Sequence, residues 1–489
     1  MKRTHILLLC ILLLLAILAG AGHFLLKPSL EREFADRVNA YFTQQGLVPE
    51  KPIETTVSPL TRTLTIHPFT IRSNPALRIK KGTFEEAQLT LTWQGLLAFS
   101  PFESLVPKTG QIPLLAKGRA NGLTLSVEDA EIAIHNTTAS KASIDALDLE
   151  TLKAGKADIL RTALSVEAIH LDTMTITVPA QDKLVITLGP IEVTHATKDK
   201  VGMCVIENLD VTENAEKRLS LKKITQKNIR LYTEEEWTSF AQTISRTSPA
   251  AAEAVFDLLM GETPLVESTV LEDITVHVEN TPLNIGSITF NTKKNAEQSL
   301  FSIARVTLPT KDIEKELEEQ TGQTVPLPPV LHLTFSLSSN KDADKNYRLA
   351  GNIDIEELLS IDASLNAGIS TLKNLEKEIQ TCPLKNLRLR VTDKSLLSRA
   401  ALVIHSNGSA KDFLKKEVAG TGLPKLEAKL HSFIDKPGSI ELATKPEKSF
   451  TAPQLASMSE EQIFQSFTLT VTQGSEDLDE QVARYKVTK

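Results

Sequence analysis

The sequence predicts a mainly β protein with accessory helices, in which extended or curled, antiparallel-rich sheets follow a single N-terminal transmembrane helix. Three observations predict this class: a long apolar run at the N-terminus, many segments that alternate aliphatic and hydroxyl residues, and a loosely repeated strand motif. The composition agrees, because 41% hydrophobic and 24% charged residues are typical of a folded body and not of a disordered chain. Aromatic residues make up only 5%, so the apolar surfaces must be mostly aliphatic.

Residues 1–26 are predicted to form a membrane anchor or a signal peptide. From Ile6 to Leu26 the segment is apolar except for His23, and this run includes the anchor residues Leu14 and Leu18. At about 1.5 Å per residue, a helix of this length spans the roughly 30 Å hydrocarbon layer. A signal peptide would be cut at the small residues 19–21, but the apolar run continues past them, which favours an uncleaved anchor.

The charges before the run set the expected orientation. Lys2 and Arg3 favour a cytoplasmic N-terminus, so the body is expected in the periplasm as part of a single-pass protein of the inner membrane. No second apolar run of this length follows.

The segment 27–47 is predicted to be an amphipathic helix. Leu30, Phe34, Val38 and Phe42 recur every four residues, which places them on one helical face, and Gly46 is a stop signal. The favoured interpretation is a helix that packs on the body or extends the anchor. The alternative is an interfacial helix that lies on the membrane.

The remaining chain alternates aliphatic residues with Thr and Ser, so each strand has one apolar and one hydroxyl-rich face. We expect a β-rich domain at 48–232, a helical pair at 233–262, a second β-rich region at 263–410, a mixed α/β cap at 411–473 and a solvated tail at 474–489. The apolar strand positions are candidates for contact with lipid. They are Leu89, Leu91, Leu123, Leu125, Val127, Met174, Ile176, Val178, Leu184 and Ile186.

A loose motif recurs in the body: two aliphatic residues at alternate positions, a short break, and a second such pair. It is seen in LRIKKGTFEEAQLTL from Leu77, LVITLGPIEVT from Leu184, LSLKKITQKNIRL from Leu219 and LNIGSITFN from Leu283. We interpret each copy as a pair of strands that extends one sheet.

No pattern of catalytic, cofactor-binding or metal-binding residues is present, so the sequence predicts a protein that is not an enzyme. The ten histidines do not form HxxxH or HExxH. Cys204 and Cys382 have no metal-like spacing; an exported compartment permits a disulfide between them, but two buried thiols are favoured. The net charge of -7, without a dense basic cluster, argues against binding to nucleic acid.

The anchor, the exported body and the motif copies from Leu77, Leu219 and Leu283 resemble the AsmA-like group of bacterial envelope proteins, which is related to bridge-like lipid-transfer proteins. The resemblance implies a role in lipid traffic or outer-membrane upkeep, with phospholipid or envelope proteins as partners. The apolar strand faces could instead form the core of a sandwich or lie under helices. A non-catalytic periplasmic scaffold is therefore the alternative function.

Overall fold

The computed structural model describes residues 27–231 and 266–486, with short interruptions at 41, 44–46, 75–78, 101–102, 128–129, 154–163, 180–182, 198, 279–280, 294–297, 322–325, 342–345, 370–379, 405–408 and 420–423. The predicted anchor 1–26 and the predicted helical pair 233–262 lie outside the described residues. The chain divides into two compact units, Met1–Thr233 and Glu234–Lys489. Both units are mainly β and their strands pair antiparallel, which confirms the mainly β, antiparallel character predicted for the body.

The described part of the first unit contains a helix, α1, at residues 27–40 and 42–43. Two further helices are α2, Trp93–Ala98, and α3, Ala146–Lys153. The strands are, in chain order, β1 Thr55–Ser58, β2 Thr63–Ile66, β3 Phe69–Ile71, β4 Ile79–Phe84, β5 Ala87–Leu91, β6 Gln111–Val127, β7 Ala130–Asp145, β8 Leu164–Val178, β9 Leu184–Leu188, β10 Ile191–Ala196, β11 Lys200–Glu213 and β12 Glu216–Arg230.

The strands of the first unit form a meander. At two places in this sheet, two short strands lie end to end and together take the place of one long strand. Strands β4 and β5 both pair with β6, along its C-terminal and N-terminal halves. Strands β7 and β8 follow in order. Strands β9 and β10 then lie end to end between β8 and β11, and β12 pairs with β11. The result is a single layer several strands wide.

Helix α1 packs on one end of this sheet. Its side chains Leu30 and Phe34 are 1% and 6% exposed and join the core that includes Val57 and Leu64. The helix is also held by polar contacts, because the N–H of Val57 donates to Oε1 of Glu31 at 3.0 Å. The N–H of Ile53 likewise donates to Oδ1 of Asn39 at 2.9 Å. Thus α1 packs on the body, as the sequence analysis favoured.

The described strands of the second unit also form a meander. They are β13 Val266–Val278, β14 Thr281–Thr292, β15 Gln298–Pro309, β16 Val330–Lys341, β17 Tyr347–Ile355, β18 Leu359–Ala367, β19 Leu384–Asp393, β20 Ser439–Thr444, β21 Ser449–Phe450 and β22 Phe467–Thr472. Each strand from β13 to β20 pairs with the next, β22 pairs with β20, and β21 pairs with β19.

Helices of the second unit are α4 Lys311–Thr321, α5 Leu396–Ile404, α6 Ala410–Ala419, α7 Pro424–Asp435, α8 Ala452–Ala456, α9 Glu460–Ser466 and α10 Leu478–Lys486. Helices α5, α6, α7 and α10 share a small core. Arg399 of α5 is buried, and its guanidinium donates to Oγ of Ser395 at 2.9 Å and to the carbonyl of Pro326. It also lies 4.3 Å from the ring centroid of Tyr485 in α10. This one side chain therefore ties three segments together.

Strand β5 ends at Leu91, because the Thr92 hydroxyl accepts the N–H of Gly95 and begins α2. One predicted element differs from the structure. The segment 474–489, predicted to be a solvated tail, contains helix α10, and Leu478 of this helix is 0% exposed. The region 411–473 contains both helices and strands, and its strands β20 and β22 continue the sheet from β19. Among the described residues, no helix is long and apolar enough to cross a membrane.

Candidate apolar binding faces

Apolar residues of neighbouring strands in the first unit stand directly opposite one another and form rows across the sheet. Paired residues share a face of the sheet, so each row is a continuous apolar band. Row 1 contains Leu125, Ile132, Ile176, Ile186, Val211 and Leu219. Row 2 contains Phe84, Leu123, Ile134, Met174 and Leu188.

Three further rows lie beyond row 2 in the same sheet. Row 3 contains Ala87, Ala120, Thr137, Leu171, Ile191, Ile206 and Ile224. Row 4 contains Leu89, Gly118, Ala139, Ile169, Val193 and Cys204. Row 5 contains Leu115, Ala142, Val166, Ala196, Val201 and Ile229.

The spacing between rows changes from two residues to three at two places. Residues three apart in a regular strand point to opposite faces, so this step needs a change in the backbone. Residues with positive φ lie at both places: Asn136 and Asn208 between rows 2 and 3, and Lys141, His195 and Asn228 between rows 4 and 5. A left-handed residue interrupts the alternation of a strand and re-aims the side chains that follow it.

Contacts with α1 show that rows on both sides of these interruptions face the same way. Val38 and Phe42 of α1 pack in one cluster with Phe84 of row 2, Ala120 of row 3 and Leu89 of row 4. Leu115 of row 5 packs with Leu89 in the neighbouring cluster, which contains Leu30 and Phe34 of α1. Rows 1 to 5 therefore form one surface, which we call the first apolar face.

The first apolar face is covered at one end and open along the rest. Under α1, Leu64 and Leu91 are 2% and 6% exposed. From β8 to β12, by contrast, Leu221 is the one buried residue among those described. The aliphatic side chains of these strands are half-buried, although a closed core would bury them fully. At about 3.3 Å per residue, the open part extends up to roughly 33 Å along β8, from row 5 to row 1.

The second unit has a comparable surface, the second apolar face, with two rows that cross the sheet from β13 or β14 to β22. Row 6 contains Leu271, Ile288, Ile303, Phe335, Ile353, Ile361, Val391, Ile440 and Val471. Row 7 contains Phe290, Phe301, Leu337, Gly351, Ala363, Leu389, Leu442 and Leu469. None of these residues is buried.

Large apolar side chains are exposed at the middle of the second apolar face. Leu337, Ile353 and Leu389 are 47%, 37% and 44% exposed. Beside them, the rings of Phe290 and Phe301 are in contact, with centroids 4.7 Å apart, so this part of the face is aromatic. Contiguous exposed apolar surfaces often occur where a protein binds another protein, a membrane or a ligand, so the second apolar face is a candidate binding site.

The structure places most of the predicted lipid-facing residues on the first apolar face. Leu123, Leu125, Met174, Ile176 and Ile186 belong to rows 1 and 2, and all are half-buried. The half-buried residues Val127, Val178 and Leu184 lie one step beyond row 1, at the ends of their strands.

Two of the predicted lipid-facing residues are not accessible in this way. Leu91 is 6% exposed and belongs to the core beneath α1, so its assignment as lipid-facing is wrong. Leu89 is partly buried in the same core because α1 covers the start of row 4.

Sequence reasoning missed the second apolar face and misread the repeated motif. The motif copies from Leu219 and Leu283 are single strands, β12 and β14, and not strand pairs. In the copies from Leu77 and Leu184 the two strands lie end to end and do not pair with each other. The short break in the motif is the three-residue step between rows. Elsewhere in the two units the same three-residue step carries Asn or Asp with positive φ, as at Asn136, Asn208 and Asp273. Asn or Asp at such a step is a usable signal, because these residues tolerate a left-handed backbone.

The opposite, polar face of the second unit carries balanced charges. A cavity of about 330 Å³ there is lined by Asn352, Asp362, Arg388 and Arg390 among others. Arg388 donates to Glu441 at 2.7 Å, and this hydrogen bond lowers the pKa of the Glu441 carboxyl. The arrangement is an ion-pair network between strands.

Few features of the described residues suggest chemistry at a metal or a reactive thiol. No group of three or more His, Cys, Asp or Glu side chains in the described ranges is placed to hold a metal ion. Cys204 and Cys382 are not joined by a disulfide, and burial raises the pKa of the Cys204 thiol. No protein-family model, curated protein or solved structure matches the chain.

Proposed function

We propose that this protein is a membrane-anchored envelope protein that binds lipid acyl chains along its two apolar faces and contributes to outer-membrane upkeep. The observation that carries the proposal is the incomplete burial of rows 1, 2, 6 and 7. Aliphatic rows several strands long are left half-buried or exposed, as at Leu337 and Ile353. A monomeric protein rarely leaves so much contiguous apolar surface without a ligand.

The energetics favour an acyl chain as the occupant. Each methylene moved from water to an apolar surface contributes about 0.8 kcal/mol, so a chain lying on a row gains affinity from many weak contacts. The aliphatic rows contain no charged group that could select one lipid head group. This suits a site that recognises the acyl chain. The anchor predicted at residues 1–26 would hold the body beside a source of lipid at the inner membrane.

In vivo photo-crosslinking of the full-length chain tests this function. A photoreactive amino acid is placed at Ile176 or Leu337 on the apolar faces, and at the matched neighbours Thr175 or Ser338, whose side chains point to the other face. Cells are labelled with radioactive phosphate before irradiation. We expect labelled phospholipid adducts at Ile176 and Leu337 and none above background at the two neighbours. Equal labelling on both faces, or none anywhere in a folded protein, would refute lipid binding along these rows.

A protein-binding scaffold is the second candidate, and α1 provides the observation that favours it. Leu30, Phe34, Val38 and Phe42 show that an amphipathic helix of suitable spacing packs on this sheet. A partner helix could occupy the open rows in the same manner. The same crosslinking experiment separates the two functions, since discrete protein adducts at Ile176 in place of lipid would support the scaffold.

A further inference from the structure

A row of hydroxyl side chains borders the aromatic part of the second apolar face. Thr292, Ser299 and Ser339 stand directly opposite one another on β14, β15 and β16. Each lies two residues from a member of row 7, namely Phe290, Phe301 or Leu337 respectively. Residues two apart in a strand share a face, so these three side chains, the hydroxyl row, point to the same side as row 7.

The hydroxyl row is buried although part of it has no hydrogen-bond partner. Thr292, Ser299 and Ser339 are 3%, 4% and 8% exposed. The Oγ atoms of Ser299 and Ser339 make no hydrogen bond. A buried hydroxyl without a partner destabilises a fold, and native structures keep few of them. Two such groups side by side, where neighbouring positions are apolar, indicate a place for the polar part of a ligand.

An apolar track leads away from the hydroxyl row along β15 and β16. On β15 it consists of Phe301, Ile303, Val306 and Leu308, and none of these side chains is buried. From Phe301 to Leu308 the strand covers about 23 Å at 3.3 Å per residue. One leaflet of a bilayer is roughly 15 Å of hydrocarbon, so a whole acyl chain fits along the track.

We propose that Ser299 and Ser339 donate hydrogen bonds to the ester carbonyls of a diacyl lipid whose chains lie along β15 and β16. This inference rests on the proposed lipid-binding function and adds the substrate class, an ester-linked lipid. The two serines are neutral donors on adjacent strands, with Cβ atoms about 5 Å apart. An uncharged carbonyl at the head of an acyl chain is the acceptor that matches such donors at the end of an apolar track.

Competition between a diester and a diether lipid tests the proposal. The full-length protein is purified in detergent and equilibrated with equimolar diester phosphatidylcholine and its diether analogue with the same chain length. The retained lipids are then quantified by mass spectrometry. Because one hydrogen bond changes an equilibrium about fivefold, we expect at least fivefold enrichment of the diester form in the wild type. In the double variant S299A/S339A the ratio should fall to about one.

Ser336→Ala is the matched control, because its side chain lies on the other face of β16, and it should keep the wild-type ratio. The double variant removes two unpartnered hydroxyls, so its melting temperature without lipid should equal or exceed that of the wild type. A wild type without preference, or a double variant that keeps it, overturns the ester site and leaves lipid binding intact. Retention of neither lipid by the wild type overturns lipid binding itself.

Discussion

The first prediction compares one substitution at two isoleucines of the same sheet, Ile144→Asp and Ile176→Asp. Ile144 is 0% exposed in the core that includes Ile112, whereas Ile176 is half-buried in row 1. Loss of a fully buried isoleucine side chain costs about 3 kcal/mol. A buried carboxyl whose pKa rises by three units costs about 4 kcal/mol more near neutral pH. The total for Ile144→Asp, about 7 kcal/mol, approaches the whole stability of a domain.

Ile176→Asp should behave differently if the first apolar face is open. The new carboxylate can stay hydrated, and only part of the apolar area is lost, so the expected cost is about 1 kcal/mol. Urea unfolding followed by far-ultraviolet circular dichroism measures both variants, and phospholipid crosslinking from a nearby row 1 position, Ile132, measures binding. We expect Ile176→Asp to fold and to lose the lipid adduct. If it unfolds as readily as Ile144→Asp, row 1 is a covered core and the argument for an open face fails.

Three further predictions concern the parts that support the faces. Phe34→Ala removes an anchor of α1 and should lower the unfolding free energy by about 3–5 kcal/mol in urea titrations, whereas the exposed Arg32→Ala should change it by less than about 0.5 kcal/mol. Arg399→Lys keeps the positive charge but removes the planar stacking on Tyr485 and the fixed hydrogen-bond donors. We expect the unfolding free energy in urea titrations to fall by at least about 2 kcal/mol. An unchanged urea midpoint would contradict the structural role of this arginine. The hydrogen bond from Lys411 lowers the pKa of Asp477, so this ion pair stabilises the fold above the ordinary pKa of Asp, and the stabilisation is lost as pH falls through the lowered value. The hydrogen-exchange protection factors of α10, which are corrected for the intrinsic exchange rate at each pH, should therefore fall on acidification, and Asp477→Asn should remove that pH dependence.

Much of the fold could be read from local pattern because strand alternation is a local property. The segments ending at Val127, Val178 and Leu188 are strands, as their alternation predicted. The stripe of Leu30 and Phe34 likewise predicted α1. In each case the side-chain period of two or of nearly four follows from backbone geometry, which neighbours along the chain share.

The solvated tail was wrong for a reason of packing. Leu478 and Val482 are four residues apart, which is a helical spacing, but the segment is short and rich in charge. Only the contact with Ala401 and Ile434 of other helices buries those two side chains. Short helices gain most of their stability from such tertiary contacts.

The repeated motif shows where local pattern stops being sufficient. A break such as the one after Leu221 in β12 is compatible with a turn or with an interruption inside a strand. The register decides between them, because Ile224 pairs with Ile206 and Leu221 pairs with Leu209 on one continuous strand. Register is set by the partner strand, which lies elsewhere in the sequence.

By itself, the sequence determined that the body is β-rich, that its strands are aliphatic on one side, and that a membrane-length apolar run precedes them. These properties depend on the side-chain type and its period, which are local. The tertiary structure alone decided that the apolar positions align into rows, that α1 covers only one end of them, and that Leu337 and Ile353 remain exposed. Alignment and exposure depend on which strand lies opposite and on what packs above it. These partners come from other parts of the sequence, so no single segment encodes them.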